Sequence, residues 1–204
     1  MKNMSIVELA EITASKCAVP GGGSMAALCG ALAAALVEMV TNLTIGNKKY
    51  TEVEEKMEKL RDRALNLRKE LLDDIARDSE AYAGVMNAYK LPKITEDEKK
   101  NRRSMIQDCL KNAVLVPLEI ASKGCQVIDL SKEVVQFGNK NAVSDGMVSA
   151  MMARTAVLAA ILNAKINLGS IKDEDFVSRM TENISAMEQQ CIQKEAEILN
   201  SVAM

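Results

Sequence analysis

Between Val53 and Leu71 the apolar residues fall at Val53, Met57, Leu60, Ala64, Leu67 and Leu71, a strict alternation of four and three. That spacing keeps one stripe of a 3.6-residue helix apolar. A strand cannot produce it, because its faces alternate every second residue. A stripe this regular is a coiled-coil-like seam, and it needs another helix to cover it. Nowhere in the chain does a strand pattern, an internal repeat or a flexible linker appear. The expected fold is therefore all-α: a single-domain up-and-down bundle of about six long helices, some kinked, spanning residues 1–204.

Carrying the seam further lands on Asp74 and then Asp78, with Tyr82 one turn beyond. The stripe can also be drawn through Leu72 and Ile75, and Asp78 then still borders its buried edge. A carboxylate where the pattern calls for leucine is costly unless it is paired or functional. One reading is a buried ion pair with Arg77 or with a lysine from another helix. The other is chemistry, and Asp78 is the stronger candidate for it.

Pro20-Gly21-Gly22-Gly23-Ser24 opens a second helix, read as 24–45, that begins Met25-Ala26-Ala27-Leu28-Cys29-Gly30. Ser24 is its expected N-cap. Bare glycine amides at a helix start suit an anion or a polarised carbonyl. The plain alternative is a tight turn where two helices approach closely. The small residues of this helix make it the expected central element. Glu38 and Asn42, four apart on one face, need partners there. Gly46-Asn47 ends the helix, and Lys48-Lys49-Tyr50 follow.

Before it, Ser5 and Glu8 have capping-box spacing for a short helix over 5–16, with Ile6, Leu9 and Ile12 on its apolar side. Leu91-Pro92 breaks the long third helix. Thr95 and Glu98 form a second capping box, opening a helix toward residue 136 that Pro117 must kink or break and Gly124 can bend again. Gly138-Asn139-Lys140-Asn141 is a polar loop. The Ala- and Met-rich helix after it, about 142–168, carries Asn141, Ser144 and Asp145 on one face at its start and Asn163 and Asn167 on one face at its end. Asp173 or Asp175 caps the last helix, about 175–201, whose stripe runs through Phe176, Met180, Ile184, Met187, Cys191 and Ile198.

Composition removes whole classes of function. The chain has no histidine, which excludes Ser-His-Asp and Cys-His catalysis and His-ligated metal. Any acid–base step falls to Asp, Glu, Lys, Tyr, Cys or the backbone. A net charge of -2 and 2% aromatic residues leave neither a basic footprint nor stacking platforms for nucleic acid. Cys17, Cys29, Cys109, Cys125 and Cys191 are odd in number and include no C-x-x-C pair, so a reduced, cytoplasmic protein is expected. The N-terminus has no apolar signal region. The apolar stretch from Met25 to Ile45 contains Glu38 and Asn42 and reads as a helix buried in protein, not in a membrane. No metal-ligand cluster is present. Gly21 to Ala26 satisfies G-x-G-x-x-A, but no strand precedes it, and no Gly-Lys-Ser/Thr follows to make a P-loop.

The polar islands, taken together, resemble the cyclodeaminase/cyclohydrolase family of folate enzymes. The matching segments are Pro20 to Ser24 with the Ala-rich helix, Met39 to Tyr50, Asp78 before Ala81-Tyr82, Leu91-Pro92-Lys93, Val116-Pro117-Leu118, Gly138 to Asp145, and Asn163 through Asn167-Leu168. They occur in order over almost the whole chain. Asn47 departs from the pattern, standing where a lysine is common. The resemblance implies an all-helical homodimer that binds tetrahydrofolate derivatives without a metal or nicotinamide cofactor. It implies one of two activities. Cyclohydrolase opens 5,10-methenyltetrahydrofolate with water to 10-formyltetrahydrofolate. Cyclodeaminase expels ammonia from 5-formiminotetrahydrofolate while closing the same ring. With no formiminotransferase segment accompanying it, the chain is expected to be the cyclohydrolase.

The residues suit either reaction. The methenyl substrate is a cationic amidinium, which a carboxylate can stabilise while activating water. Asp78 and Asp145 are the catalytic candidates, one as general base and the other as orienter or proton shuttle. Pro20, Gly21, Gly22, Gly23 and Ser24, with Asn139 and Asn141, are candidates for holding the pterin or the benzoyl-glutamate carbonyls, and Lys48 and Lys49 for meeting glutamate carboxylates. Asn42, Tyr82 and Ser144 complete the expected binding set. A non-catalytic helical interaction module would explain the heptads. It would leave Asp78, the triple glycine and the Asn139–Asp145 cluster without a role.

Overall fold

The computed structural model describes residues 4–202. Six α-helices run in order: α1 (Ile6–Ala14), α2 (Gly22–Asn42), α3 (Glu54–Lys90), α4 (Glu96–Phe137), α5 (Val143–Leu168) and α6 (Glu174–Asn200). Short 3-10 turns over Lys48–Val53 and Lys140–Ala142 lead into α3 and α5. No strand occurs among the described residues, as the periodicity requires.

α2 lies between α3 and α5, α4 packs across α3 and α5, and α6 covers α4 and α5. The centre is built from small residues. Ala27, Ala33, Ala34, Val37 and Val40 of α2 have no exposed surface, nor have Ala150, Ala153, Ala156, Val157, Ala160 and Ala164 of α5. The two helices run antiparallel: Gly22 faces Asn163, Gly30 faces Ala156, and Ser149 Oγ donates to the Ala33 carbonyl at 2.7 Å. The seam of α3 is buried as predicted at Met57, Leu60, Ala64, Leu67 and Leu71.

Both capping boxes form, Ser5 with Glu8 and Thr95 with Glu98, and Asp173 caps α6. Three details differ from expectation. α4 continues through Pro117 without breaking. Gly124 serves close approach, since a Cβ there would come within 2.7 Å of Val157 Cγ2. α1 buries none of its residues fully, and Ile6 on its expected apolar side is 88% exposed.

Candidate active site

The start of α2 is not capped by Ser24, as the sequence suggests. The N-cap is Gly21, and Ser24 is the third residue of the helix, completely buried. Its hydroxyl donates to Asp78 Oδ2 at 2.8 Å, and its backbone N–H also donates to that carboxylate. The glycine run thus does present an anion site at a helix N-terminus, and the anion is the chain's own Asp78. Gly23 makes this possible. A Cβ built on it would fall 2.6 Å from Asp78 Cγ and 2.8 Å from Oδ2, so any side chain displaces the carboxylate.

The two seam aspartates have separated into the two roles their positions allow. Asp74, 1% exposed, is paired with Arg77 at 2.6 Å and with Lys123 at 2.7 Å. Asp78, one turn on, has no ion-pair partner among the described residues and is half-buried at the wall of a cavity of about 310 Å³. Burial pushes its carboxyl above the usual carboxylate range, and the two bonds from Ser24 only partly offset this.

The cavity lies where the loop before α2 meets α3, α4 and the C-terminal end of α5. Val19, Val85, Ala113, Pro117 and Ile166 give it apolar walls, and Gly21, Gly22 and Gly23 form its backbone edge. Asp78, Tyr82, Asn163 and Asn167 supply the polar side chains, and no lysine or arginine lines it. Of the expected binding residues, Pro20 is buried behind this edge without lining the cavity.

Asn163 and Asn167 were not among the candidate site residues. Pro117 explains why Asn167 is there. Lacking an N–H, Pro117 cannot bond the carbonyl four residues earlier, that of Ala113. Asn167 Nδ2 fills the gap, donating to Ala113 O at 2.9 Å and to Asn163 O at 3.0 Å. Asn163 Nδ2 in turn donates to Ala159 O at 2.9 Å. The signal in the sequence was the pair of amides four apart on an apolar helix, combined with a proline inside a facing helix.

The remaining candidates lie at the other end of the bundle. From Asp145 to Asn163 α5 climbs about 27 Å at 1.5 Å per residue. Asn42, Lys48, Lys49, Asn139, Asn141, Ser144 and Asp145 gather at that far end. Asn139 ties it together: its N–H donates to Thr44 Oγ1 and its Nδ2 to Leu43 O, both at 2.9 Å, and its Oδ1 accepts from the Asn141 N–H at 3.0 Å. Tyr50 Oη accepts from the Lys140 N–H at 2.9 Å. Glu38, beside exposed Asn42, finds its partner in Arg68, with which it forms a two-pronged pair. Within one chain, the structure brings Asp78, Tyr82 and the glycines together and leaves Asp145 with the lysines elsewhere.

Comparison with known proteins bears on the family and the fold. Residues 5–186 match the family model described as formiminotransferase-cyclodeaminase. The methenyltetrahydrofolate cyclohydrolase of Methylorubrum extorquens is 40% identical over 185 residues, covering 91% of this chain and 89% of that protein. The rat formimidoyltransferase-cyclodeaminase is 34% identical over 188 residues, 92% of this chain, but the chain spans only 35% of that longer protein. The crystal structure of formiminotetrahydrofolate cyclodeaminase from Thermotoga maritima superposes with a TM-score of 0.86 at 32% identity, over 98% of each chain. The chain belongs to the formiminotransferase-cyclodeaminase family.

Proposed function

We propose that the protein is a methenyltetrahydrofolate cyclohydrolase, hydrolysing 5,10-methenyltetrahydrofolate to 10-formyltetrahydrofolate. The observation that carries this reading is a carboxylate without an ion-pair partner, half-buried at the wall of a cavity that holds no cationic side chain. Such a site is complementary to a cation, and the substrate carries its positive charge on the amidinium carbon to be attacked. Asp78 takes a proton from water as the oxygen bonds to that carbon between N5 and N10. The resulting tetrahedral carbon holds one hydroxyl. Asp78 then delivers its proton to N5, the bond from that carbon to N5 breaks, and the hydroxyl loses its proton as the formyl C=O forms on N10. One water enters and one proton leaves, balancing cation to neutral product. Ser24 holds Oδ2, and Oδ1 lies against Gly23 at the backbone edge of the cavity. Burial raises the proton affinity of Asp78, which suits a group that must both take and return a proton. The steps call for no metal or further cofactor.

The cyclodeaminase reaction passes through the same tetrahedral carbon, and the Thermotoga relative bears that name. A two-substrate assay separates them. Hydrolysis of the methenyl compound without ammonia release from the formimino compound is the expected result. The reverse pattern would replace the proposal.

We further propose that the working unit is a cytoplasmic homodimer. α2 and α5 are both long and apolar enough to cross a membrane, yet only 56% and 50% buried, so a large apolar face is left open. It includes Leu32 at 49%, Met151 at 48%, Leu162 at 61% and Ile166 at 76% exposure. A face this size calls for a partner. A second copy related by a two-fold axis perpendicular to α2 would cover it. That copy would also bring Lys48 and Lys49 of one protomer to the mouth of the other's Asp78 cavity, outside its walls, and Asp145 to the cavity itself, where it can take the proton that the hydroxyl loses. Mixing inactive Asp78→Asn and Asp145→Asn chains should then regenerate activity in the hybrid dimer. No recovery on mixing, or a monomeric mass by light scattering, would refute the shared site.

A further inference from the structure

Asn163 and Asn167 hold their amide groups in one orientation. Each Nδ2 is committed to backbone carbonyls, Asn163 to Ala159 O and Asn167 to Ala113 O and Asn163 O. Turning either amide over would set its oxygen against carbonyl oxygens. Both Oδ1 atoms are therefore fixed acceptors. Among the described residues nothing donates to them, and neither belongs to the buried unsatisfied atoms, so they open to the cavity their residues line. Four residues apart on α5, they stand on one face, with Cβ atoms roughly 5–6 Å apart.

Asn163 and Asp78 flank the same turn of backbone. The Cβ position of Gly22 lies 3.6 Å from Asn163 Oδ1, and that of Gly23 lies 2.6 Å from Asp78 Cγ. With adjacent Cα atoms 3.8 Å apart, the carboxylate carbon and the amide oxygen are separated by roughly 13 Å at most. A fused bicyclic ring with a reacting atom at one edge fits within that bound.

We propose that Asn163 and Asn167 read the N–H donor edge of the reduced pterin, and so set both the specificity and the direction of substrate entry. This rests on the folate reading above. The N3–C2 corner of the pterin presents N3–H and the 2-amino group, neighbouring donors that meet two fixed acceptors. The glutamate tail carries anionic carboxylates beside a single amide N–H. A cavity walled by Asp78, two amide oxygens and no cation repels it, so the ring enters and the tail stays outside. Asn167 is a positioning residue as well, because the nitrogen that orients its oxygen also satisfies the carbonyl freed by Pro117.

The test is steady-state kinetics with two substrates on the intact protein: 5,10-methenyltetrahydrofolate, and its analogue bearing a methyl group in place of the 2-amino group. Wild type should prefer the natural compound by about tenfold, the worth of a well-formed neutral hydrogen bond at the upper end of its range. Asn163→Ala should raise KM for the natural substrate by about tenfold, change kcat by less than about threefold, and bring the two substrates close to parity. Asn163→Ser can keep the donation to Ala159 O with its hydroxyl while withdrawing the acceptor from the cavity, so it should fold and lose the discrimination as Asn163→Ala does. If Asn163→Ala folds and still discriminates like wild type, the assignment is overturned while the cyclohydrolase reading stands. If Asn163→Ala only lowers Tm and leaves the KM ratio alone, the residue is structural and the assignment is again overturned. If wild type neither binds nor turns over the natural compound, the folate reading falls and this inference with it.

Discussion

Gly23→Ala is the smallest change that interrogates the site. Gly23 has ordinary helical backbone, so alanine brings no φ strain. Its Cβ would sit 2.6 Å from Asp78 Cγ, whereas ordinary contact begins near 3.4 Å, so the carboxylate must retreat by close to 1 Å or more. It can do so, because the cavity is beside it. Retreat breaks the bond from Ser24 Oγ, which to a charged acceptor is worth about 1.5–3 kcal/mol. Two gains offset that loss: about 1 kcal/mol of helix propensity at most, reduced in the first turn, and hydration regained by a carboxylate that burial had penalised. Tm should therefore move by only a few degrees in a chain of this size. Catalysis has no such compensation. A misplacement of about 1 Å costs on the order of 10² in rate, so kcat for methenyl hydrolysis should fall about 100-fold with circular dichroism unchanged. A folded Gly23→Ala variant with wild-type kcat would show that the reasoning about Asp78 is wrong, because no general base tolerates that displacement.

Asp78→Asn should lower kcat by about 10²–10⁴. Its effect on stability has the opposite sign to an ion-pair deletion. The folded state binds the Asp78 proton more tightly than the unfolded chain does, so the desolvation penalty is absent below the ordinary aspartate pKa and complete above the raised one. Tm of the variant at neutral pH should equal or exceed wild type, with the gap closing as pH falls through that window. A sharp drop in Tm at pH 7 would refute this. For the same reason kcat/KM of wild type should climb with pH along a limb displaced above the ordinary aspartate range, and the limb should vanish in Asp78→Asn. Asp74→Asn leaves Arg77 and half-buried Lys123 without their shared partner and should cost about 3 kcal/mol, read as a Tm loss of roughly 6–12 °C; near-normal kcat in the surviving folded protein is expected, and a selective loss of kcat would move chemistry to Asp74. Leu32→Asp should shift the light-scattering mass toward monomer and lower activity with it; a dimer that persists places the interface elsewhere.

The helices were legible because their signals are local. A 3.6-residue period and two capping boxes are each written in a few adjacent residues, and the structure keeps them, whereas the stop read at Gly46 comes too late, since α2 ends at Asn42. Asp78 was legible for a related reason: a seam of six apolar positions makes a seventh and eighth carboxylate conspicuous. What the pattern could not do was tell Asp74 from Asp78. That distinction depends on Lys123, which reaches Asp74 from another helix, and on the glycine run, which meets only Asp78. Ser24 was misread because its type fits an N-cap, while the chain begins the helix two residues earlier, at Gly22, where the glycines let Asp78 approach. That Asn139, Asn141 and Asp145 stand far from Asp78 within one chain was not legible, because periodicity gives the face a residue occupies and says nothing of height along the bundle.

Height is what makes Pro117 informative. A proline inside a 42-residue helix would ordinarily count against the helix, and α4 nonetheless runs through it. The freed Ala113 carbonyl must find a donor, and the donor is a side chain on α5 at the same level. The proline thereby locks the level of α4 against α5 at the point where both line the cavity. The donor it recruits is an amide whose other atom opens to that cavity. An Asn167→Leu change would therefore remove two things at once, the mate of a buried carbonyl and an acceptor facing the substrate. The two separate experimentally: loss of the first lowers Tm whatever the ligand, while loss of the second raises KM for the donor-bearing ring and leaves the methyl analogue unaffected.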